Sequence, residues 1–305
     1  MPISDRLVSI LIPTYQAEPS LGALLDRLRS QRLDRFEIIV VDSSSADRTM
    51  EIAKSFGVQT YVIPKEEFDH GGTRTYMGKL AKGELLVYLT QDALPLDDAT
   101  VPTLVARLIG DERIGAAFGR QIPHKNATPF ARHLREFNYP PESRERTFQD
   151  RTRYGIKTLF CSNSFAAYTR SALDAVGWFK DGLLMGEDMH ACAKMLKQGF
   201  HIAYVAEAAV FHSHNYSALQ EFKRYFDLGA FFRKEPWILQ EYGAAEGEGM
   251  RFIRSELSFL LRSRLPHYIP LSLFRILAKG VGYRLGHVAP FLPGKIVQWA
   301  SMHSK

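Results

Sequence analysis

The first 120 residues alternate short continuous apolar runs with stretches in which apolar residues recur every three or four positions. The continuous runs predict buried strands at residues 7–12, 36–41, 58–63, 85–89 and 114–118, with Pro13 ending the first of them. The clearest helical stretch follows Ser20, a candidate N-cap, and repeats leucine at positions 21, 24, 25 and 28. Further helices are predicted at about residues 47–56, before Gly57, and 73–81, and one opens at Asp97 and Asp98. Strands that are apolar on both faces and alternate with helices predict an α/β fold, with a mostly parallel sheet covered on both faces.

The pattern changes after residue 120. Residues 121–153 are rich in charge, proline and asparagine, which indicates an insertion over the sheet edge or a mobile active-site loop. Strands at 165–168 and 201–205, and helices from Ser171 and at 187–197, return to the sheet. Helices are predicted again at 219–234 and 248–264, before a basic, proline-broken segment at 266–293. We therefore predict a sheet domain over residues 1–215 and a helical C-terminal extension over residues 216–305.

The composition agrees with a globular protein of one large domain and an appendage. The chain has 305 residues, of which 46% are hydrophobic. Its two cysteines, Cys161 and Cys192, form neither a disulfide framework nor a metal-ligand spacing, which favours a reducing cytosol. No apolar run approaches the roughly 20 residues of a membrane span, and the polar residues 1–6 do not resemble a signal peptide. A cytoplasmic location is expected.

The formal net charge of +6 is unevenly distributed. From Met250 onward, nine basic residues stand against one acid, Glu256. The nine are Arg251, Arg254, Arg262, Arg264, Arg275, Lys279, Arg284, Lys295 and Lys305. Such a segment favours an anionic partner: a membrane surface, a lipid diphosphate or a nucleic acid. A basic face that is simply exposed to solvent explains the charge equally well. The sequence leaves the oligomeric state, including a homo-oligomer, open.

Polar residues stand directly after two of the predicted strands, where open α/β sheets bind ligands. Asp42 follows the second strand, where a carboxylate can accept hydrogen bonds from a nucleobase or ribose or can cap the next helix. Asp92 follows the fourth strand. One carboxylate acting with substrate phosphates suits Mg²⁺ or Mn²⁺, and His212 or His214 could supply a further ligand or be purely structural.

The segment from Phe68 to Arg74 combines a cation with a glycine pair before a predicted helix. We expect a loop in which His70, Gly71, Gly72 and Arg74 surround a diphosphate, because backbone N–H groups and the helix dipole attract anions. The alternative is a turn that needs glycine for its backbone conformation, with Thr73 as a cap.

Glu187 and Asp188 open a predicted helix directly after Gly186. Acids at a helix start stabilise the helix by roughly 0.3–1 kcal/mol each, so the pair could be structural. The catalytic interpretation is that Asp188 deprotonates an acceptor hydroxyl and Glu187 helps to orient it. Three further residues are candidates for contact with sugar or acceptor, although a turn or core packing explains them as well: Asn163, Ser164 and Trp178.

Four segments taken together resemble the family 2 inverting glycosyltransferases of GT-A fold, over about residues 7–214. They are SILIPTY at 9–15, VVDSSSADRT at 40–49, QDA at 91–93 and GED at 186–188. The resemblance implies a divalent cation on Asp92 and a catalytic base at Asp188, although Thr90 stands where the family's Asp-X-Asp motif has its first acid. It also implies a nucleotide site that includes Pro13, Thr14, Tyr15, Asp42, Ser44 and Gln91.

Two short motifs narrow the resemblance. HGGTR at 70–74 and TQDA at 90–93 look like the rhamnosyltransferase branch, which uses dTDP-L-rhamnose to extend bacterial surface polysaccharides. That implies a dTDP-rhamnose donor and a lipid-linked glycan acceptor, with the basic C-terminal helices peripheral at the inner face of the plasma membrane. The Gln-X-X-Arg-Trp motif of processive relatives is absent after His214, which disfavours a processive synthase.

Other functions fit the sequence less well. A nucleotidyltransferase usually has a glycine-rich basic loop after its first strand, and residues 13–20 contain neither glycine nor lysine. A dehydrogenase would show Gly-x-Gly-x-x-Gly there. A non-enzymatic alternative is a scaffold that binds nucleotide or membrane without catalysis. The presence of Asp42, Asp92 and Asp188 together argues against it. No nucleic-acid-binding module surrounds the basic residues.

Overall fold

A computed structural model describes residues 5–244 and 247–303 of the chain. Residues 1–4, part of the polar start, and Lys305, one of the nine basic residues after Met250, lie outside the described residues. The strands are β1 Val8–Thr14, β2 Phe36–Asp42, β3 Gln59–Val62, β4 Leu85–Leu89, β5 Leu94–Pro95, β6 Ile114–Ile122, β7 Arg144–Arg146, β8 Phe165–Thr169 and β9 His201–Phe211. The helices are α1 Glu18–Arg29, α2 Thr49–Ser55, α3 His70–Leu80, α4 Thr100–Gly110, α5 Pro129–Asn138, α6 Arg151–Tyr154, α7 Arg170–Val176, α8 Glu187–Lys197, α9 Ala218–Lys234, α10 Pro236–Tyr242, α11 Glu248–Arg262, α12 Ile269–His287 and α13 Gly294–Ala300.

The strands form one sheet in the order β3-β2-β1-β4-β8-β6-β9-β5, with β7 paired to β9. Pairing is parallel from β3 to β4, as predicted, because α1, α2 and α3 return the chain between these strands. Strand β8 is antiparallel to both β4 and β6, so the second half of the sheet is mixed. Apolar cores with helices packed on them cover both faces of the sheet. The predicted α/β fold class is confirmed.

Two local expectations near the first strand are wrong. Strand β1 continues through Pro13 to Thr14 instead of ending at the proline. The carbonyl of Thr14 accepts from Ser43 on the β2 side, so Pro13 faces the other side, where β4 pairs only as far as Leu11. The missing N–H of Pro13 therefore removes no ladder bond. Helix α1 begins at Glu18, so Ser20 lies within its first turn and does not cap it.

The helices after β9 pack on the sheet and on one another. Phe231 of α9 and Tyr242 of α10 belong to the core on one face of the sheet. Helix α12 was not predicted, because the prolines of residues 266–293 were interpreted as breaks, whereas the only proline in α12, Pro270, lies in its first turn. Its glycines allow a close crossing with α9, since a Cβ atom on Gly282 or Gly286 would lie within 2.3 Å of an α9 carbonyl oxygen. Among the described residues, no helix combines the length and apolar character needed to cross a bilayer.

Candidate active site

The carboxyl ends of β1, β2 and β4 open into a cavity of about 910 Å³. It is also lined by the start of α3, by residues 182–184 and by the C-terminal tail. The lining residues are Pro13, Thr14, Tyr15, Ser43, Lys65, Glu66, Glu67, Phe68, Asp69, His70, Arg74, Thr90, Gln91, Gly182, Leu183, Leu184 and His303. A cavity of this volume falls in the size range of sites for small ligands and cofactors.

Asp42 organises the loop beneath this cavity. Its carboxylate accepts hydrogen bonds from the Thr14 hydroxyl at 2.9 Å and from both the backbone N–H and the hydroxyl of Ser45 at 2.7 Å. Asp42 is fully buried, so in this conformation it holds the loop and has no surface to offer a nucleotide directly. Ser44 has a left-handed backbone and donates to the carbonyl of Ile63, which leaves Ser43 to line the cavity in its place.

Tyr15 and Gln91 close the same side of the cavity. The Gln91 amide accepts from the Tyr15 backbone N–H at 2.8 Å and donates to its carbonyl at 3.0 Å, so it joins the loops after β1 and β4. The Tyr15 ring is partly exposed, and the Lys65 ammonium lies 4.6 Å from its centroid. Lys65 gives the cavity a cation that the sequence analysis did not identify.

The expected glycine loop is instead the first turn of α3, which begins at His70. Asp69 caps this helix by accepting from Gly72 N–H at 2.7 Å, so that amide is already satisfied. Gly71 is required for packing, since a Cβ atom there would lie 1.8 Å from the carbonyl oxygen of Lys180. Neither glycine lines the cavity, whereas His70 and Arg74 do.

Arg74 and Glu187 form a buried ion pair, with Nη1 and Oε1 3.2 Å apart. Burial raises the pKa of Glu187, but the charge of Arg74, joined by that of His70 only when His70 is protonated, outweighs it, so the pKa is lowered overall and the carboxylate stays ionised. Burial lowers the pKa of His70 to about 4, with the Arg74 charge acting in the same direction, so His70 is neutral at pH 7. The Nε of Arg74 has no partner among the described residues, which leaves a buried donor beside the cavity.

Asp188 has the properties of a base near neutral pH. Burial, followed by the adjacent Glu187 charge, raises the pKa of Asp188 to about 7, although two backbone N–H groups act against the rise. Those donors are Asn163 at 3.1 Å and Met189 at 2.7 Å. Because these two bonds hold the carboxylate, its orientation is fixed before any substrate arrives.

Asn163 is buried, and its side chain is hydrogen-bonded to neighbouring protein groups. It donates to Glu187 Oε1 at 3.0 Å and accepts from the Tyr168 hydroxyl at 2.9 Å. Each end of its amide therefore already has a protein partner in this arrangement. Asn163 is a positioning residue for the acid pair. Ser164 next to it is half-buried, and its carbonyl accepts from Thr90.

The structure brings Asp92, His212 and His214 together, with their potential ligand atoms all within 4.8 Å of one another. The Nε2 atoms of His212 and His214 lie 3.5 and 3.6 Å from the Asp92 oxygens. His212 Nδ1 lies 2.9 Å from the Gln121 amide oxygen, which fixes the ring with Nε2 towards Asp92. Burial lowers the pKa of both imidazoles, and to about 4 for His214, so they are neutral ligands at pH 7.

The Asp-His-His cluster and the acid pair share one loop. Gln121, which orients His212, also donates to the Ser162 hydroxyl at 3.0 Å. The next residue, Asn163, binds both Glu187 and Asp188. The segment before β8 therefore fixes the two clusters relative to each other.

Trp178 does not belong to this site. Its indole N–H donates to Asp174 at 2.8 Å, and its ring packs so closely on Gly78 that a Cβ atom there would lie 2.2 Å away. It borders a different cavity, of about 1,030 Å³, together with residues such as Lys194 and Trp237. The ring packs in the core beside this second cavity.

Two residues besides Lys65 were missed by the sequence analysis. Burial is the largest cause that lowers the pKa values of His70, His212, His214 and His303, and the exposed guanidinium of Arg224 on α9 also lowers them, so Arg224 lies within electrostatic reach of the cavity and of the Asp-His-His cluster. Its only sequence signal is a basic position on the helix that follows His214. His303 lines the cavity with its ring 5.0 Å from that of His70, and no local motif marks it.

Comparison with known proteins places this arrangement among sugar-transferring enzymes. Residues 9–177 match the family model described as Glycosyl transferase family 2. The chain is 41% identical over 298 residues to the O-antigen chain rhamnosyltransferase RfbN of Salmonella typhimurium, and 40% identical over 297 residues to WbaN of Salmonella anatum. Each match covers 97% of this chain and 94% of the relative.

Solved structures show the same fold. One is the mannosyltransferase PcManGT from Pyrobaculum calidifontis, solved in complex with GDP-Man and Mn²⁺. The TM-score is 0.62 at 17% sequence identity, and the match covers 91% of this chain and 86% of the other. At that identity the likeness is evidence for the GT-A fold alone.

Proposed function

The chain belongs to glycosyl transferase family 2, and on that premise we propose that it transfers L-rhamnose from dTDP-L-rhamnose to a hydroxyl of a lipid-linked glycan during O-antigen synthesis. The observation that carries the chemistry is Asp188, a fixed carboxyl group with a pKa of about 7 on the same loop network as the Asp-His-His cluster. The sugar and acceptor are inferred from the two rhamnosyltransferases that match nearly the whole chain.

In the proposed reaction Asp188 is the general base. It takes the proton of the acceptor hydroxyl as that oxygen attacks the anomeric carbon, opposite the bond to the leaving diphosphate, which inverts the configuration. A base with a pKa near the working pH is both deprotonated often enough and basic enough to act. Glu187 and Asn163 keep Asp188 and Arg74 in position, and Ser164 stays a candidate for a sugar or acceptor contact.

Negative charge grows on the nucleoside diphosphate as it leaves, so cations near the cavity are assigned to its stabilisation. Arg74 is held by Glu187 and keeps an unpaired Nε beside the cavity, which a phosphate oxygen would satisfy. Arg224 and Lys65 add two further positive charges. His70 is neutral and would contribute a hydrogen bond and not a charge.

The Asp-His-His cluster fits a divalent cation, and we assign it to Mn²⁺ in preference to Mg²⁺. Two neutral imidazoles and one carboxylate suit a transition metal better than Mg²⁺, which prefers oxygen ligands. The structurally similar mannosyltransferase was solved with Mn²⁺. When bound, the cation would offset charge on the departing diphosphate. Asp92, His212 and His214 would hold it, and Gln121 would keep the His212 ring in place.

For the nucleotide we assign direct contacts to six of the residues that line the cavity: Pro13, Thr14, Tyr15, His70, Arg74 and Gln91. Asp42 and Ser44 act indirectly in this assignment, because their side chains hold the loops that carry lining residues. The partly exposed ring of Tyr15 offers a surface on which a base can pack.

The test of this function is a thermal-shift panel of nucleoside diphosphates and nucleotide sugars, each with and without Mn²⁺. A ligand that binds only the folded protein raises the melting temperature. We expect the largest Mn²⁺-dependent shifts with dTDP and dTDP-rhamnose, and transfer of rhamnose in a coupled assay. Larger shifts with UDP compounds would overturn the sugar assignment. The absence of any shift would favour a non-catalytic scaffold.

Arg224→Ala is expected to lower kcat/KM for the donor by about 10- to 100-fold, the range for a lost hydrogen bond to a charged group. Arg224 is exposed, so the fold should be unaffected. The matched control is Arg233→Ala, which removes an exposed arginine from the same helix beside Phe291, and which is not among the charges that act on His70, His212, His214 or His303. Equal losses in the two variants would rule out a specific role for Arg224 at the diphosphate.

A further inference from the structure

Helix α12 has its polar residues inside and its apolar residues outside. Arg275 and Lys279 are buried and both bind Glu221 on α9, with nitrogen–oxygen distances of 2.9 and 3.3 Å. Arg275 also donates to the carbonyl of Tyr216 at 2.8 Å. Ser272 is buried on the same face. The charged side chains of this helix therefore make internal contacts, except that of Arg284, which is exposed.

The opposite face of α12 is apolar and exposed. Phe274, Leu277, Val281 and Leu285 recur at helical spacing on one side, and Leu277 keeps 64% of its surface exposed. The exposed apolar surface continues through the segment after the helix and along α13. We call the following set the α12–α13 apolar face: Leu271, Leu273, Phe274, Leu277, Val281, Leu285, Val288, Phe291, Ile296 and Trp299. These residues keep 36–76% of their surface exposed, although Arg233 lies over the Phe291 ring and Lys223 and Phe222 lie beside Trp299. A soluble monomer rarely exposes so large a patch.

The charges around this face have a single sign. Residues 257–305 contain no aspartate or glutamate. The exposed charged residues of this part, within the described residues, are Arg262, Arg264, Arg284 and Lys295. An anionic leaflet attracts such residues, whereas a second copy of this chain packed on the same face would bring like charges together.

We propose that the α12–α13 apolar face lies in the headgroup region of an anionic lipid bilayer, with the four basic residues on lipid phosphates. An amphipathic helix that is too polar to cross a bilayer lies in its interface with the apolar side inward. The proposal rests on the proposed function in one respect: a lipid-linked acceptor explains why the enzyme should dock there.

The docking surface is joined rigidly to the active site. Gly229 of α9 and Gly282 and Gly286 of α12 let the two helices cross with backbones in contact, since a Cβ at any of them would lie within 2.3 Å of a carbonyl oxygen. Helix α9 carries Arg224, and α13 leads into His303 at the nucleotide cavity. Docking would therefore fix the distance between the cavity that His303 lines and the lipid headgroups.

The proposal is tested by vesicle flotation of the full chain. We expect binding to vesicles of phosphatidylethanolamine and phosphatidylglycerol, weaker binding to phosphatidylcholine, and loss of binding at high salt. The double variant Phe274→Ser/Leu277→Ser should bind at least about tenfold more weakly, because interfacial affinity follows buried apolar area. Val62→Ser is the control, because Val62 is exposed to a similar extent, 57%, on edge strand β3.

Unchanged vesicle binding of the double variant would overturn the proposal. So would a concentration-dependent dimer that the double variant loses, without vesicle binding, which would assign the face to a second copy. The dTDP-dependent thermal shift distinguishes a failure of the membrane proposal from a failure of the proposed function. The double variant should keep the shift, and a wild-type protein that binds vesicles but no nucleotide would contradict the proposed function alone.

Discussion

Asp188→Asn is expected to lower the rate of rhamnose transfer by about 10²- to 10⁴-fold, the usual contribution of a general base. The asparagine keeps the shape of the side chain but cannot take a proton. Its single carbonyl oxygen can accept from only one of the two backbone N–H groups, of Asn163 and Met189, that donate to the two Asp188 oxygens. Donor binding should therefore persist. The measurements are single-turnover transfer and the dTDP-dependent thermal shift on the same preparation.

Two further variants make this test specific. Asp26→Asn changes an exposed acid on α1 and should leave the rate unchanged. Glu187→Gln removes a charge that helps to raise the pKa of Asp188, so the pH at which activity appears should move down. A rate for Asp188→Asn within about tenfold of wild type would assign the base to another group.

The pH dependence has a definite sign. The base is active when deprotonated, and burial with the Glu187 charge raises the pKa of Asp188 to about 7, so activity should rise with pH through about 7. Stability follows the opposite course for this group. A carboxyl whose folded pKa lies above its unfolded value favours the folded state when protonated, so its contribution is present below pH 4 and is lost as the pH rises through about 7.

Asp92→Ala is expected to abolish the Mn²⁺-dependent thermal shift with dTDP and to reduce transfer by roughly 100-fold or more. A bound metal ion contributes several kcal/mol of charge stabilisation in the transition state, and each 1.36 kcal/mol is a factor of ten. Asp92 is partly exposed, with 37% of its side-chain surface accessible, so its removal should not unfold the protein. Chelation of the metal from the wild-type enzyme should give a similar loss.

The control is Asp98→Ala, an exposed acid that pairs with Arg32 and does not belong to the Asp-His-His cluster. It should retain both the Mn²⁺ dependence and the rate. His214→Ala, which leaves one carboxylate and one imidazole, should raise the Mn²⁺ concentration needed for half-maximal activity. An Asp92→Ala enzyme that keeps a full Mn²⁺ response would place the metal elsewhere.

The sequence predicted most of the regular elements because their signals are local. The run at 85–89 became β4, and the helix predicted at 187–197 has those bounds in the structure. The positions of Asp92, His212 and His214 after strands made them candidates for one metal site, and the fold brings them together because the ends of β4 and β9 lie in one sheet. The roles of Gly71 in α3 and of the α12 glycines could not be predicted, because each depends on a neighbouring backbone.

By itself the sequence determined the α/β fold and the acids that follow its strands, since hydrophobic periodicity and chain order are properties of neighbours along the chain. Only the tertiary structure decided what each polar side chain does. It joined Glu187 to Arg74 and Asn163 to both acids, gave Asp188 its raised pKa through burial, and turned the polar face of α12 inward. The physical reason is that a pKa, an ion pair or an exposed face depends on groups that lie far apart in sequence and meet only when the chain is folded.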